Sequence, residues 1–371
     1  MKKALVCDWL DKYSGAERCV ESFTDIWNDF DIFSLVDFLN DTDRNVILKG
    51  KKSSVSFIQN LPFSKSKFRN YLPFFPYAIE QFDLNDYDLV LSSSHCVAKG
   101  ILTNHEQFHI CYMHTPIRYA WDMYHSYLNE HKLNSGLKAM LVKWFLYRIR
   151  MWDYTSANRA DKIIANSKFI ASRIEKIYSR KADVLYPPVD TEVFALNSHK
   201  DDYYVTCSRL VAYKKVDVIV RAFNKNGKKL VVIGDGEEMQ NLKALAKKNI
   251  ELVGFQSIQN LKQYLQGARA FVFAAIEDFG ISVVEAMSCG TPVIALKKGG
   301  ACESVEEGVC GKLFCEQNED SLNAAIVEFE KNIDKFDPNL IRQNALKFSK
   351  DKFKKSINEY VNNEYEKFKN R

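Results

Sequence analysis

The stretch "ARAFVFAAIEDFGISVVEAMSCGTPVIAL", residues 268–296, decides the fold. Residues 268–276 read as a buried strand, 281–290 as a helix and 291–296 as the next strand, the unit that lays two strands parallel. The same alternation runs upstream. "YYVTCSRL" (203–210), "KLVVIGDG" (229–236) and "IELVGF" (250–255) alternate with helical patterns at 216–225, 237–248 and 258–267. A second series precedes it: "KALVCDW" (3–9) with a helix at 16–27, then "YDLVLSSS" (87–94), "HICYMH" (109–114), "KIIANS" (162–167) with a helix at 168–178, and "ADVLYPPV" (182–189). Strand-then-helix alternation predicts an α/β protein of two doubly wound domains, each a parallel sheet covered by helices on both faces. The adjacent prolines of "LYPPVDTEVF" (185–194) forbid a helix and impose an extended path, which marks the junction. We expect one domain over 1–185 and another over 186–344, with a charged helix over about 345–371 that packs back on the first.

Bulk properties agree. A chain of 371 residues exceeds what one core usually serves. With 46% hydrophobic and 27% charged residues it is a folded chain, not a disordered one. A net charge of +5 is too mild to imply nucleic-acid binding on its own, and fits phosphorylated ligands or an anionic membrane face. The nine cysteines are scattered without a C-x-x-C pair, as expected of reduced thiols in a cytosolic protein and not of a zinc finger or disulfide framework. In "MKKALVCDWL" the apolar run stops at Asp8, too soon for a signal peptide. "AMLVKWFLYRI" (139–149) is interrupted by Lys143, so no membrane span is expected.

Ligands of open α/β sheets bind outside the carboxyl ends of strands, where helix N-termini offer N–H groups and positive charge to phosphate. Several residues fall at such places. Gly15 in "SGAE" (14–17) lets backbone approach a ligand closely, although the segment reads equally as a plain strand-to-helix turn. Arg209 and Lys214 in "SRLVAYKK" (208–215) converge near a helix start, a pairing that suits a diphosphate; alone it would be a solvated basic loop. Glu277 ends a buried strand, Gly280 begins a helix, and Glu285 lies about one and a half turns inside it, with the N–H groups of Phe279, Gly280 and Ile281 between the two acids. His114 ends a strand, followed by Arg118, Tyr119 and Trp121, a cationic and aromatic cluster able to stack on sugar rings or to pack into the core. "VVIGDGEE" (231–238) lacks the third glycine of a dinucleotide fingerprint. "HEQFH" (105–109) matches H-E-x-x-H, but its second histidine opens a strand pattern, so the two would not share a helix face; no metal is expected.

Taken together these residues resemble the family 4 retaining glycosyltransferases. The motifs stand in fixed order across nearly the whole chain: "SGAE", "HTPIRYAWD" (114–122), "IANSKFIASRI" (164–174), "LYPPVDTEVF", "SRLVAYKKVD" (208–217), "VVIGDGEE", "EDFGISVVEAMSCGTPVIA" (277–295) and "GGACESV" (299–305). "HTPIRYAWD" looks most like the bacterial mannosyltransferases of O-antigen and exopolysaccharide synthesis. The resemblance implies a GT-B fold, two Rossmann-like domains facing each other across a cleft, with the acceptor on the first and the donor on the second. It implies that Arg209 and Lys214 bind the donor diphosphate, Glu285 the ribose and Glu277 the donor sugar, helped by the N–H groups of Phe279 to Ile281. Gly15 would approach the diphosphate and His114 would lie beside the sugar and reacting centre. Retention is usually attributed in this family to front-face attack, the leaving diphosphate taking the acceptor proton, so neither a metal nor another cofactor is implied. Two positions depart from the family pattern: Ser14-Gly15 replaces paired glycines, and Ala212 a proline.

The expected activity is transfer of a hexose, mannose from GDP-mannose, to a saccharide or polyprenyl-linked saccharide acceptor in bacterial surface polysaccharide synthesis (O-antigen, capsule or exopolysaccharide). The basic, aromatic segments 49–80 and 137–151 read either as core with solubilising lysines or as a surface that docks on anionic lipid, which would make a cytoplasmic protein peripheral on the inner face of the plasma membrane. Two rivals stay open: a UDP-sugar-dependent transferase of glucose, galactose or N-acetylglucosamine, and a non-catalytic subunit that binds a sugar nucleotide. A nucleic-acid module is disfavoured by the modest charge and the lack of a P-loop.

Overall fold

Each apolar run that alternates with a helical pattern becomes a strand of one of two parallel sheets in the computed structural model, which describes residues 1–371. The chain divides into two units, residues 1–186 with 353–371, and residues 187–352. In the first, β1 (Lys3–Cys7), β2 (Asp31–Ser34), β3 (Ser54–Val55), β4 (Leu89–Ser94), β5 (Phe108–Met113), β6 (Lys162–Ala165) and β7 (Asp183–Val184) form a seven-stranded sheet in the order β3-β2-β1-β4-β5-β6-β7. Helices α1 (Gly15–Ile26), α2 (Tyr124–Glu130), α3 (Leu137–Ser156) and α4 (Lys168–Tyr178) belong to this unit. In the second, β8 (Tyr204–Cys207), β9 (Leu230–Ile233), β10 (Ile250–Gly254), β11 (Ala270–Phe273), β12 (Val293–Leu296) and β13 (Gly311–Phe314) are ordered β10-β9-β8-β11-β12-β13. Its helices include α5 (Val216–Asn226) and α6 (Ile281–Ser288). These are the Rossmann-like units of a GT-B fold.

Alternate residues of each strand feed opposite layers, as the pleat requires. In β1, Leu5 and Cys7 join the core that contains Phe23 of α1, while Ala4 and Val6 join the one that contains Ile58, Phe75 and Ile149. The last helix, α7 (Lys350–Lys369), turns Phe353, Ile357 and Val361 into the first of these layers. Its polar flank is tied down by Lys162 at 2.7 Å from Glu364 and by the Tyr360 hydroxyl, which donates to Asp183 at 2.6 Å.

The helix read over 237–248 is shorter, Met239–Leu245, because Ala246 turns extended to feed β10. The strand read over 268–276 leaves its ladder at Phe273, which pairs with Ala295; Ala274 and Ala275 stay buried while the chain swings out to Glu277. Residues 57–79, read only as basic and aromatic, form short helical turns. All nine cysteines are unpaired. No helix is long and apolar enough to cross a membrane.

Two histidines lie inside the first unit, their Nε2 atoms 2.8 Å from the hydroxyls of Ser92 (His109) and Ser93 (His114). Burial lowers the His109 pKa to about 4; burial, with His95 nearby, lowers that of His114 to about 3. Both stay neutral when folded, whereas an unfolded chain takes up these protons below pH about 6.5. Stability is therefore fully present above that pH and falls as pH drops towards 4, by up to about 1.4 kcal/mol per histidine per pH unit. In urea unfolding, the stability difference between wild type and His109→Gln should be smaller at low pH than at neutral pH; a pH-independent difference would contradict this. Ile357→Ala should lower the stability of the first unit by about 2–4 kcal/mol and leave the second unit's transition in place; an unshifted first transition would show that α7 is not part of that core.

Candidate donor and acceptor sites

Strand order reverses beside the first strand of each sheet, β2-β1-β4 and β9-β8-β11. Such a reversal sends the neighbouring loops apart and opens a crevice at the strands' carboxyl ends. In the second unit the loops concerned are those that follow β8 and β11. Arg209 stands exposed two residues beyond β8. The turn Ala212–Lys214 then ends at Lys215, whose left-handed backbone (φ 54) redirects the chain into α5. Lys214 reaches across to the β11 loop, its Nζ 2.6 Å from Glu277 Oε1. The ammonium lies off the direction of a well-formed hydrogen bond, so the contact is a close ion pair and that oxygen keeps its hydrogen-bonding capacity.

Glycines fix both loops. A side chain on Gly234 would meet the Ser208 carbonyl at 1.9 Å, and one on Gly236 the Leu210 carbonyl at 2.3 Å, so "GDG" lies flat against the Arg209 loop. Gly300 donates its N–H to the Glu277 carbonyl at 2.7 Å, and a Cβ there would lie 1.8 Å from the Asp278 carbonyl. The double glycine 299–300 thus clamps the loop that presents Glu277. Gly280 (φ 86) caps α6, whose first residue is Ile281; Phe279 is buried against Phe348, ring centroids 5.3 Å apart. Glu285, one turn further on, is buried beneath the end of β8: burial, and then this carboxylate, push the Cys207 thiol up to about 12. The structure therefore brings Lys214 and Glu277 into contact, with Arg209, Gly280 and Glu285 on the adjoining loop and helix. The buried Ser208 hydroxyl, without a hydrogen-bond partner, is a further polar group there that sequence reading passed over.

In the first unit the loops after β1 and β4 hold a group also missed in sequence. The Asp8 carboxylate, 1% exposed, accepts the backbone N–H groups of His95 (2.6 Å), Cys96 (2.9 Å), Val97 (2.6 Å) and Ala98 (2.6 Å), and its Oδ2 lies 3.0 Å from His95 Nδ1. This nest fixes the His95 loop, and the His95 ring stands 6.3 Å from that of His114. A histidine ending the serine run of "SSSH" (92–95) was the signal available. Gly15 is the first residue of α1; Ser14 does not cap the helix through its side chain but donates its hydroxyl to buried Glu17 at 2.5 Å. Burial raises the Glu17 pKa, against the pull of that hydrogen bond. His114, 8% exposed, stands just beyond β5.

The three aromatic and cationic candidates diverge. The Tyr119 hydroxyl turns in to Cys96 Sγ at 3.3 Å, and Trp121 Nε1 donates to buried Asp153 at 2.7 Å. Of Arg118, Tyr119 and Trp121, only Trp121 lines the pocket of about 680 Å³ that it shares with Tyr124, Arg150, Arg173 and Lys176. His105 lies in a loop and His109 in β5, so H-E-x-x-H has no helix to act on.

Residues 188–347 match the model of the "Glycosyl transferases group 1" family and residues 38–193 that of "Glycosyltransferase Family 4". An uncharacterized glycosyltransferase of Methanocaldococcus jannaschii is 29% identical over 202 residues, 53% of this chain and 57% of that one. A D-inositol 3-phosphate glycosyltransferase of Mycobacterium marinum is 30% identical over 195 residues, 46% of this chain and 42% of that one. The chain thus spans about half the length of the curated relatives it matches. In structure it is similar to Anabaena HepE, solved with UDP and glucose (TM-score 0.69, 18% identity, 98% of this chain and 100% of that one). With two family domains in tandem and a GT-B fold around them, the chain belongs to the GT4-type glycosyltransferases.

Proposed function

We propose that the chain is a retaining hexosyltransferase, taking its sugar from a nucleotide-diphosphate donor bound by the second unit. The Lys214–Glu277 pair beside Arg209 at the reversal of the second sheet carries this reading. Arg209 and Lys214 take the diphosphate, Glu285 the ribose hydroxyls and Glu277 the donor sugar, with the N–H groups of Phe279, Gly280 and Ile281 completing the cradle. Gly15, the first residue of α1, leaves room for a phosphate to approach the strand ends of the first unit. His114, held neutral by burial, serves as a hydrogen-bonding group at the sugar hydroxyls and not as a cation. The acceptor is a saccharide, free or on a polyprenyl carrier, met at the Trp121 end of the segment that also carries Arg118 and the inward-turned Tyr119.

Mannose from GDP-mannose, in bacterial surface polysaccharide synthesis, is the donor reading that the "HTPIRYAWD" block favours. A UDP-sugar is the second reading, because HepE was solved with UDP-glucose. Cations on the protein can stabilise the leaving diphosphate, the preorganised electrostatics that usually contributes most. Turnover is accordingly expected to persist in excess EDTA; a loss restored by magnesium would overturn that part.

A panel of nucleotide sugars, followed by nucleotide release, separates the donors: release from GDP-mannose alone supports the first reading, and release from UDP-sugars alone replaces it with the second. Binding without release, even with lipid-linked acceptors present, would mark a non-catalytic subunit. Glu285→Ala should weaken donor binding about 10–100-fold, whereas Glu277→Ala should act mainly on turnover by a similar factor. The opposite split would exchange the two roles.

A further inference from the structure

Helix α3 is amphipathic outwards as well as inwards. Its inner positions Ala139, Leu146, Ile149, Asp153 and Ser156 are buried. On the opposite side Leu137, Met140, Trp144, Tyr147, Met151 and Tyr154 are between 42% and 70% exposed. They recur at alternating spacings of three and four, which at about 100° per residue confines them to one stripe roughly 25 Å long. Eight of the chain's twenty-one exposed large hydrophobic residues lie on this one helix, a concentration that scattered surface residues do not produce.

Basic residues flank the stripe on both sides, Lys143 and Arg150 along one edge and Arg148 along the other. The Arg148 guanidinium stands 5.9 Å from the Trp144 ring centroid. The helix has one acid, Asp153, and it is buried, 2.5 Å from Lys99, where it accepts from Trp121 and Tyr178. The helix itself therefore places no negative charge on its outer face.

We propose that this face of α3 docks the protein on an anionic lipid bilayer, the helix lying in the plane of the interface. The charge pattern selects this occupant over a second copy of the chain. Spacings of three and four also suit a coiled-coil seam, but its flanking positions would set Lys143, Arg148 and Arg150 against the same cations of the other copy. An anionic surface attracts every one of them. Trp144, Tyr147 and Tyr154 have the amphipathic rings that settle at headgroup level, and the stems of the basic residues can lie along the apolar stripe while their heads meet phosphate. The inference does not rest on the proposed transfer reaction, although a lipid-borne acceptor would be met at such a surface.

Flotation of the full chain with vesicles, without donor or acceptor, tests it. The wild type should float with phosphatidylglycerol vesicles and not with phosphatidylcholine vesicles, and should be released by high salt. Lys143→Glu with Arg148→Glu should weaken binding at least about twentyfold, and Trp144→Gln with Tyr147→Gln should also weaken it, each variant keeping the wild-type circular dichroism and melting temperature. Equal flotation on both lipids, or none, overturns the proposal. So does a wild-type dimer that the Trp144→Gln, Tyr147→Gln pair dissociates while vesicles go unbound.

Discussion

Reversal of strand order beside β1 and beside β8 is the constraint on which the candidate sites depend. Parallel strands need crossover connections, and right-handed crossovers on either side of a reversal lie on opposite faces of the sheet. The loops leaving β8 and β11 must then part above the strand ends, and whatever they carry faces the gap between them. Backbone density there leaves no room for side chains, which is why Gly234, Gly236, Gly299 and Gly300 stand against carbonyl groups of the partner loops. The glycines hold the loops; Arg209, Lys214 and Glu277 are what the loops hold out.

The two units solve the electrostatics of their strand ends differently. In the first, charge is neutralised internally: Asp8 is saturated by four backbone N–H groups, Glu17 is held by Ser14, and His114 is kept neutral by burial. In the second, Lys214 faces Glu277 at close range while Arg209 stays exposed. The cations of the second unit suit an anionic phosphate ligand, the one proposed above.

Much of this was legible in the chain because it is local. Strands that are apolar throughout declare a sheet buried on both faces, and "EDFGISVVE" (277–285) contains its own strand exit, capping glycine and helix. What stayed hidden joins residues far apart. The donors to Asp8 are backbone groups nearly ninety residues away, so no side-chain pattern announces them. Lys99 and Asp153 form a buried ion pair across more than fifty residues, and neither position looks internal in its own segment. The segment after His114 shows the opposite limit: Arg118, Tyr119 and Trp121 are close in sequence, yet a tight turn sends the Tyr119 hydroxyl inwards to Cys96 and leaves only Trp121 lining a pocket. On α3, the apolar periodicity of a single strip could not say which of its faces is inside; burial decides that, and shows apolar residues on both.

Calorimetric titration of GDP and of UDP into the wild type, Arg209→Ala and Lys214→Ala, at low and at high salt, tests the central claim most directly. If these loops cradle a diphosphate, at least one nucleotide binds the wild type, each substitution weakens it about tenfold or more, and the salt dependence is smaller in the variants. Unchanged affinity in both variants would contradict the account.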